Sequence, residues 1–206
     1  MSPGEAFTRA ATSSPSQDLK SGESWVEIWS RLPVLKKDLR TTDSEFTAAA
    51  TVVLPDGTHL VVFGTVLPWR GQKWKEHPSA GAVAFEAALG AHEKDWQRLA
   101  REESASICVA GDFNQDLSCK HFYWSRRAYS LLRDSLDGRR GLIATTRDPT
   151  DPVRKLTNGA EACIDHICLS PEIEARKAGK SRAWSPVVDG RVLSDHPGVL
   201  IELADT

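Results

Sequence analysis

The sequence predicts an α+β domain or a layered α/β sandwich, because hairpin and helix patterns alternate along the chain. Residues 46–54 and 59–67 are two apolar runs separated by Pro-Asp-Gly at 55–57, a strong turn signal that predicts a β-hairpin. Residues 82–101 carry large side chains three or four positions apart, which predicts an amphipathic helix. Elements of these two kinds must pack in layers to bury their apolar faces.

The remaining elements continue this pattern. Residues 24–30 are dense in aromatic and β-branched side chains and predict a strand, and residues 106–110 predict a short buried strand. Residues 126–136 place apolar side chains on one face and predict a second helix. Loops rich in Pro, Gly and charge separate three later strands, which are predicted at 162–169, 181–188 and 198–203.

Length and composition fit one globular domain. A chain of 206 residues with 40% hydrophobic and 26% charged residues can bury one substantial core. The formal net charge of −2 supplies no overall attraction to nucleic acid or to an anionic membrane, and no apolar stretch approaches the length of a membrane span. Residues 1–22, rich in Ser, Thr, Pro and Ala, predict a flexible leader or part of a loop, and residues 23–206 the domain.

The spacing of the four cysteines indicates whether they are reduced or oxidised, and so in which cellular compartment the protein is expected. Cys108, Cys119, Cys163 and Cys168 form no Cys-x-x-Cys pair, and two of them lie in strand-like apolar runs. This pattern favours reduced, buried thiols over a disulfide or a zinc site. Because the N-terminus also lacks the apolar centre of a signal peptide, the sequence predicts a cytoplasmic protein.

Three short segments in the second half of the chain carry candidate chemistry. Residues 111–114 read Gly-Asp-Phe-Asn, residues 164–167 read Ile-Asp-His-Ile, and residues 194–197 read Ser-Asp-His-Pro. Each segment follows or interrupts a β-branched run, so we expect its polar side chains near strand ends. Together they supply three carboxylates, an amide and an imidazole, which are the groups that metal-assisted hydrolysis of phosphate esters requires.

Asp112 and Asn114 are expected to act together. Residues i and i+2 of an extended chain point to the same side, so both polar groups can face one cleft while Phe113 turns into the packing. Gly111 lets the backbone bend where the strand finishes. The alternative is an Asx-type turn that only closes the strand, since Asp and Asn favour such turns.

Asp165 and His196 are predicted to pair. Asp165 lies in an apolar run, where a carboxylate is costly unless it has a partner such as an imidazole. Pro197 favours extended geometry at His196, which leaves Asp195 free to face a cation. His166 lies on the opposite pleat from Asp165 and is predicted to be packed or hydrogen-bonded rather than catalytic. The alternatives are a solvent-facing edge strand for the first segment and a polar turn for the second.

These three segments, in this order, resemble the endonuclease/exonuclease/phosphatase superfamily, which shares the fold of deoxyribonuclease I. Ser-Arg-Leu-Pro at residues 30–33 is similar to a further stretch of that family, and the resemblance extends over about residues 25–203. It implies a four-layer α/β/β/α sandwich of two mostly antiparallel sheets with the site at one end. It also implies divalent-metal-dependent hydrolysis of a phosphodiester or phosphomonoester by an activated water.

The resemblance also implies a role for each residue. Asp112 would orient or deprotonate the nucleophilic water, and Asn114 would contact the scissile phosphate. Asp165 would pair with His196, the imidazole nearest the phosphorus, and Asp195 would help to hold the metal. Mg²⁺ suits such oxygen ligands, with Mn²⁺ as the alternative. The expected ligand is a phosphate-ester substrate, and no protein partner is predicted.

The chain departs from the family pattern at two places. Family members open with one strand bearing an asparagine and a second bearing a glutamate, the principal metal ligand, and both precede the Ser-Arg-Leu-Pro stretch. Glu5 and Glu23 precede it here but lie in no apolar run, so we expect the two opening strands to be missing and the sandwich to be N-terminally incomplete. Val66 stands where the family has a histidine, and valine can neither donate nor accept a hydrogen bond.

Three interpretations therefore stay open. The chain is a phosphoesterase, or it is a catalytically degenerate family member that acts as a binding module, or it is an unrelated α+β domain in which the segments coincide by chance. Residues 69–77 mix basic and aromatic side chains, which makes nucleic acid a candidate partner. The alternative for that stretch is a solvated loop with two packed tryptophans, since the rest of the surface is not basic.

Overall fold

The computed structural model of the chain describes residues 7–16, 18–75, 80–118, 125–138 and 141–204. Within these ranges the chain alternates short strands with four helices. In chain order the elements are β1 (Thr8–Thr12), β2 (Glu27–Ser30), β3 (Val34–Lys36), β4 (Thr47–Val53), β5 (His59–Val66), α1 (Ala82–Glu102), β6 (Ser106–Asp112), α2 (Arg126–Leu136), β7 (Ile143–Ala144), α3 (Pro152–Leu156), β8 (Asp165–Leu169), α4 (Pro171–Glu174), β9 (Arg182–Trp184), β10 (Val187–Val188), β11 (Arg191–Val192) and β12 (Gly198–Leu200).

A six-stranded mixed sheet forms the centre of the fold, in the order β3-β4-β5-β6-β8-β7. The predicted hairpin is confirmed, because β4 and β5 pair antiparallel from Thr47 opposite Thr65 to Val53 opposite His59. β5 and β6 run parallel, whereas β6 and β8 pair antiparallel. The parallel connection between β5 and β6 passes through α1, as a crossover requires. The ends of β5 and β6 and the beginning of β8 consequently meet at one edge of the sheet.

Helices α1 and α2 cover one face of this sheet, and both were predicted from their periodicity. Phe85 and Trp96 of α1 and Leu132 of α2 pack against Phe63 of β5 and Val109 of β6 in the largest core cluster. Ser125 caps α2, since its hydroxyl accepts a hydrogen bond from the backbone N–H of Ala128. The alternation of polar and apolar positions in the two helices is thus explained by burial against the sheet.

The second layer consists of separate two-stranded sheets in the described part of the chain. The β1–β2 sheet packs on β4, where Ile28 meets Ala48 and Ala50. The β12–β9 sheet lies beside β8, and β10 and β11 form a small hairpin. The predicted α+β class is confirmed, and the second sheet of the expected sandwich is present as these short pieces.

The flexible leader predicted for residues 1–22 does not describe residues 8–12, which form β1 and pair antiparallel with β2. Ala10 and Ala11 are fully buried there. The small side chains suggested flexibility in the sequence, but they also allow close approach of two sheets. The packed domain therefore includes β1, while residues 1–6 and 17 lie outside the described residues.

The aromatic and basic stretch at 69–77 is partly packed. Trp74 lies against the main core and donates its indole N–H to Asp43, and the ring of Trp69 lies 6.0 Å from that of Trp25. Lys75 donates to the carbonyl of Thr42. The contacts of Trp74 fit the packed-tryptophan alternative, whereas Trp69 is 37% exposed, and residues 76–77 lie outside the described residues.

Two further expectations concern the thiols and the membrane. Cys108, Cys163 and Cys168 are free thiols with little or no exposure, as predicted, and Cys119 lies outside the described residues. None of the helices within the described ranges combines the length and the apolar character that crossing a membrane demands.

Candidate functional site

The end of β6 is shaped by a glycine. Gly111 has φ +142°, and a Cβ placed on it would lie 2.0 Å from the carbonyl oxygen of Thr65 on β5. Only glycine permits this close approach of two backbones. The next residue, Asp112, lies opposite Val66 on one side and opposite Asp165 on the other. Directly opposed residues of adjacent strands present their side chains on the same face, so the two carboxylates become neighbours.

Asn114 lies beside Asp112, but the backbone between them does not have the extended geometry that was predicted. The strand ends at Asp112, and Asn114 has φ +47°, so the pair does not lie in extended chain. The backbone N–H of Asn114 donates to Asp112 Oδ1 (2.7 Å), and its amide donates to Asp112 Oδ2 (2.9 Å) and to the carbonyl of Leu67 (2.9 Å). The local geometry is therefore that of an Asx-type turn, and the catalytic roles of Asp112 and Asn114 stay predictions. Asn114 is nearly fully buried and holds the Asp112 carboxylate in place.

Asp165 and His196 form the predicted pair. Nδ1 of His196 lies 3.1 Å from Oδ2 of Asp165, and both side chains are about a quarter exposed (29% and 26%). Asp165 opens β8, and His196 precedes β12, so two separate sheets contribute to the contact. Ser194 supports the loop, since its hydroxyl accepts a hydrogen bond from the backbone N–H of His196.

Electrostatics sets the protonation of these groups. Burial, together with the neighbouring charge of Asp165, raises the pKa of Asp112 to about 7 even though the Asn114 N–H opposes the shift. The hydrogen bond with Asp165 raises the pKa of His196 to about 9, against the effect of burial. Near neutral pH, Asp112 is accordingly poised to exchange a proton while His196 is cationic.

Asp112, Asp165 and His196 also form a cluster that fits a divalent metal. One ligand atom from each lies within 4.8 Å of the others. Two carboxylates and an imidazole are suitable donors for Mg²⁺, Mn²⁺ or a softer ion. The raised pKa of Asp112 supports the fit, because a cation would relieve the repulsion between the two adjacent carboxylates.

Asp195, the predicted metal ligand, lies at the margin of this cluster. Its side chain is 92% exposed, and its Oδ2 lies 3.7 Å from Nε2 of His196. The cluster within 4.8 Å consists of Asp112, Asp165 and His196 without Asp195. A role for Asp195 in holding a metal therefore stays a prediction.

His166 is structural, as predicted. It is fully buried, with Nδ1 2.7 Å from the hydroxyl of Thr146 and Nε2 2.9 Å from the carbonyl of Gln115. Burial lowers the pKa of its imidazole. Its ring contacts Phe113 edge to face, so both residues fix the loop that follows β6.

Three cavities meet at Asp165, and the sequence contained no signal for them. The first, of about 290 Å³, lies between α3 and the loop before β12, and also borders Asp195 and His196. The second, of about 470 Å³, separates β2 from β5 and β6 and is lined by Asp112 and Val66. The third, of about 400 Å³, reaches β9 and β12. The candidate site is therefore open on several sides.

Comparisons with known proteins agree with this architecture. An AP endonuclease from Archaeoglobus fulgidus superposes with a TM-score of 0.60 at 14% sequence identity, covering 85% of this chain and 73% of that one. The 3' phosphatase NExo from Neisseria, bound to a product DNA hairpin, gives a TM-score of 0.59 at 17% identity with the same coverage. At these identities the likeness establishes the fold alone.

The sequence comparison establishes the family. No curated protein sequence matches the chain. The sequence model described as "Endonuclease/Exonuclease/phosphatase family" matches residues 26–196, from β2 to the histidine of the candidate site. The match covers most of the chain and includes the carboxylates, the amide and the imidazoles of all three segments singled out by their chemistry. This chain therefore belongs to the Endonuclease/Exonuclease/phosphatase family.

Proposed function

We propose that the chain is a divalent-metal-dependent phosphoesterase that uses an activated water. The observation that supports this most strongly is the convergence of Asp112, Asp165 and His196, whose ligand atoms lie within 4.8 Å of one another at one edge of the central sheet. The family comprises hydrolases of phosphate esters. Two carboxylates and an imidazole are suited to this reaction, because they can hold a cation and transfer protons.

Asp112 and His196 take the two proton-transfer roles. Asp112 accepts a proton from the water whose oxygen attacks phosphorus. His196 donates its proton to the ester oxygen that leaves as the phosphorus–oxygen bond breaks. Asp165 orients His196 and stabilises its charge through the 3.1 Å contact.

A divalent cation would be held by the carboxylates of Asp112 and Asp165, with His196 beside it. When bound, it would neutralise charge on the phosphoryl oxygens. Mg²⁺ is the first candidate, with Mn²⁺ as the alternative. Asp195 would face the cation from the solvent side, and the amide of Asn114 would keep Asp112 oriented. A contact between Asn114 and the scissile phosphate stays a prediction.

DNA is the first substrate class to test. The two similar structures are described as an AP endonuclease and as a 3' phosphatase bound to a product DNA hairpin. The net charge of −2 means that the cation and local basic groups would have to attract a polyanion. A cytoplasmic location, predicted from the cysteines, belongs to the same proposal.

The test uses an activated diester, bis-p-nitrophenyl phosphate, together with a DNA hairpin carrying a 3' phosphate. We expect hydrolysis with Mg²⁺, its loss with a chelator, and a loss of about a hundredfold or more in kcat/KM for His196→Ala. His59→Ala is the matched control, because His59 is exposed at the beginning of β5, the opposite end from the site. Equal background rates in all samples would contradict the proposal.

One observation favours a non-catalytic binding module as the second candidate. Val66 lies opposite Asp112 at the end of β5, and it offers no polar atom where the family has a histidine. A missing donor of this kind costs about a hundredfold or more in rate. Binding of a phosphate ester without turnover, lost in His196→Ala, would support this candidate over the enzyme.

A further inference from the structure

We propose that a second copy of this chain docks beside the candidate site and inserts its β10–β11 hairpin between β2 and β12. We call the space between these two strands the trough. It unites the second and third cavities described above, which share Ala110, Gly111 and Asp165. The proposal does not rest on the proposed function, because dimerisation is measured without turnover.

The floor of the trough is the face of the central sheet that α1 and α2 do not cover. Val62 of β5, Ala110 of β6 and Ile167 of β8 share this face, since Ala110 lies opposite Gly64 on one side and opposite Ile167 on the other. All three side chains are partly exposed, whereas Phe63, on the face below the helices, is fully buried. The described residues therefore leave part of an apolar sheet face open to solvent.

Both walls of the trough are open strand edges. Within the described residues, β2 pairs only with β1, and β12 pairs only with β9. The consecutive residues 25–29 border the second cavity, and residues 196–199 border the third. Since neighbouring residues of a strand point to opposite faces, a cavity that touches all of them lies along the edge of the strand. A two-stranded ribbon could pair with the backbone groups of both walls.

The β10–β11 hairpin has the properties of such a ribbon. Val187 lies opposite Val192, and Leu193 donates its backbone N–H to the carbonyl of Pro186. Both faces of the hairpin are therefore apolar, with Val187 and Val192 on one face and Val188 and Leu193 on the other. These four side chains are 43–73% exposed. Strands that are apolar on both faces are typical of buried sheets, so the hairpin has the composition of an interior element.

Direction and charge also match. The ring of Trp25 lies 6.0 Å from that of Trp69, which follows β5, so β2 begins at the edge of the sheet that holds Asp112 and runs away from it. Antiparallel pairing of the second copy's β10 with β2 brings the turn of the hairpin to that edge. Arg191 follows this turn and is exposed. The partner's Arg191 would therefore meet the carboxylates of Asp112 and Asp165.

The hairpin begins at the rim of its own trough. Pro186 and Leu193 line the third cavity together with Trp184, whose ring lies over Gly198 of β12. A copy that inserts its hairpin into the trough of another copy therefore presents its own trough to that copy's hairpin. Two such insertions related by a two-fold axis form a closed dimer.

Sedimentation equilibrium of the full chain tests the proposal. We expect the wild-type protein to form dimers and no larger species. Val192→Asp places a charge in the hairpin, and Ala110→Lys fills the floor and repels the partner's Arg191, so each should weaken dimerisation about tenfold or more. Leu35→Asp is the matched control and should dimerise like the wild type, because Leu35 is exposed in β3, the edge strand of the central sheet.

A mixture of the two weakened variants distinguishes insertion from other modes of association. Val192→Asp keeps an intact trough and Ala110→Lys keeps an intact hairpin, so equal amounts should form a mixed dimer through the one interface that remains. Circular dichroism verifies the fold of both variants, and Val62→Lys replaces Ala110→Lys if that variant unfolds. Asp189→Asn removes the carboxylate in the turn and should tighten the wild-type dimer about threefold.

Four results would overturn the proposal. The first is a wild-type chain that stays monomeric at its highest soluble concentration, and the second is growth beyond the dimer. The third is dimerisation of a folded floor variant at wild-type strength, because the hairpins would then pair with each other. The fourth is a mixture of folded variants that fails to associate. An Asp189→Asn dimer of unchanged strength would refute the placement of the turn beside Asp112 and Asp165.

Discussion

Replacing Gly111 by alanine tests how the end of β6 positions the site. The added Cβ would lie 2.0 Å from the carbonyl oxygen of Thr65, where real Cβ contacts are not found below 3.0 Å, so the two strands must separate by about 1 Å. Overpacking of this kind costs about 1–3 kcal/mol. The φ of +142° adds a backbone cost of about 1–2 kcal/mol. We expect Gly111→Ala to lower the free energy of unfolding by about 3 kcal/mol.

Urea denaturation followed by circular dichroism measures this loss, and Gly57→Ala supplies the control. Gly57 has φ +84°, but a Cβ there meets nothing within 4 Å. Gly57→Ala should therefore lose stability only through the strained backbone conformation and not through a steric clash. The difference between the two variants isolates the contact with Thr65. If Gly111→Ala were no more destabilising than Gly57→Ala, β5 and β6 would not approach as described, and the placement of Asp112 opposite Val66 would lose its basis.

Two further predictions concern pH and self-association. Because its pKa is raised to about 9, His196 stabilises the metal-free fold below its ordinary pKa of about 6.5, and this contribution is lost as the pH rises through about 9. His196→Ala should therefore lower the free energy of unfolding, measured by urea denaturation, by about 1 kcal/mol at about pH 6, after allowance for solvent screening. At about pH 10 the loss should be much smaller. An equal loss at the two pH values would contradict the pairing with Asp165. Val192 and Leu193 are 73% and 59% exposed beside exposed Trp184, so the protein should self-associate with increasing concentration. Sedimentation should show less association for Leu193→Ser than for Leu35→Ser, whose leucine is 49% exposed in β3, and a wild-type protein that stays monomeric would refute this expectation.

Local patterns determined the elements that the sequence predicted well. The helix predicted at 126–136 has the same bounds in the structure, because Ser125 caps it and its apolar face is buried. The Pro-Asp-Gly turn at 55–57 is a local signal for the β4–β5 hairpin that the structure contains. The pairing of Asp165 with His196 was also predictable, since a carboxylate in an apolar run requires a partner.

Tertiary contacts determined the rest. β1 was missed because the burial of Ala10 and Ala11 depends on small side chains of β4, which no local pattern announces. Asn114 was placed in extended chain because its left-handed backbone arises from hydrogen bonds to Asp112 and to Leu67. The cavity between α3 and the loop before β12 could not be predicted for the same reason, since Asp151 joins two segments that are twelve residues apart.

The central claim is that Asp112 and Asp165 hold a divalent cation with His196 beside it. Titration of the isotope-labelled protein with substoichiometric Mn²⁺ tests it directly, because the paramagnetic ion broadens the NMR signals of nearby groups. We predict that the first signals to broaden are those of these three residues, and that Asp112→Asn weakens the effect. Broadening that begins at another surface, or no broadening when Mn²⁺ is in excess over the protein, would contradict the claim.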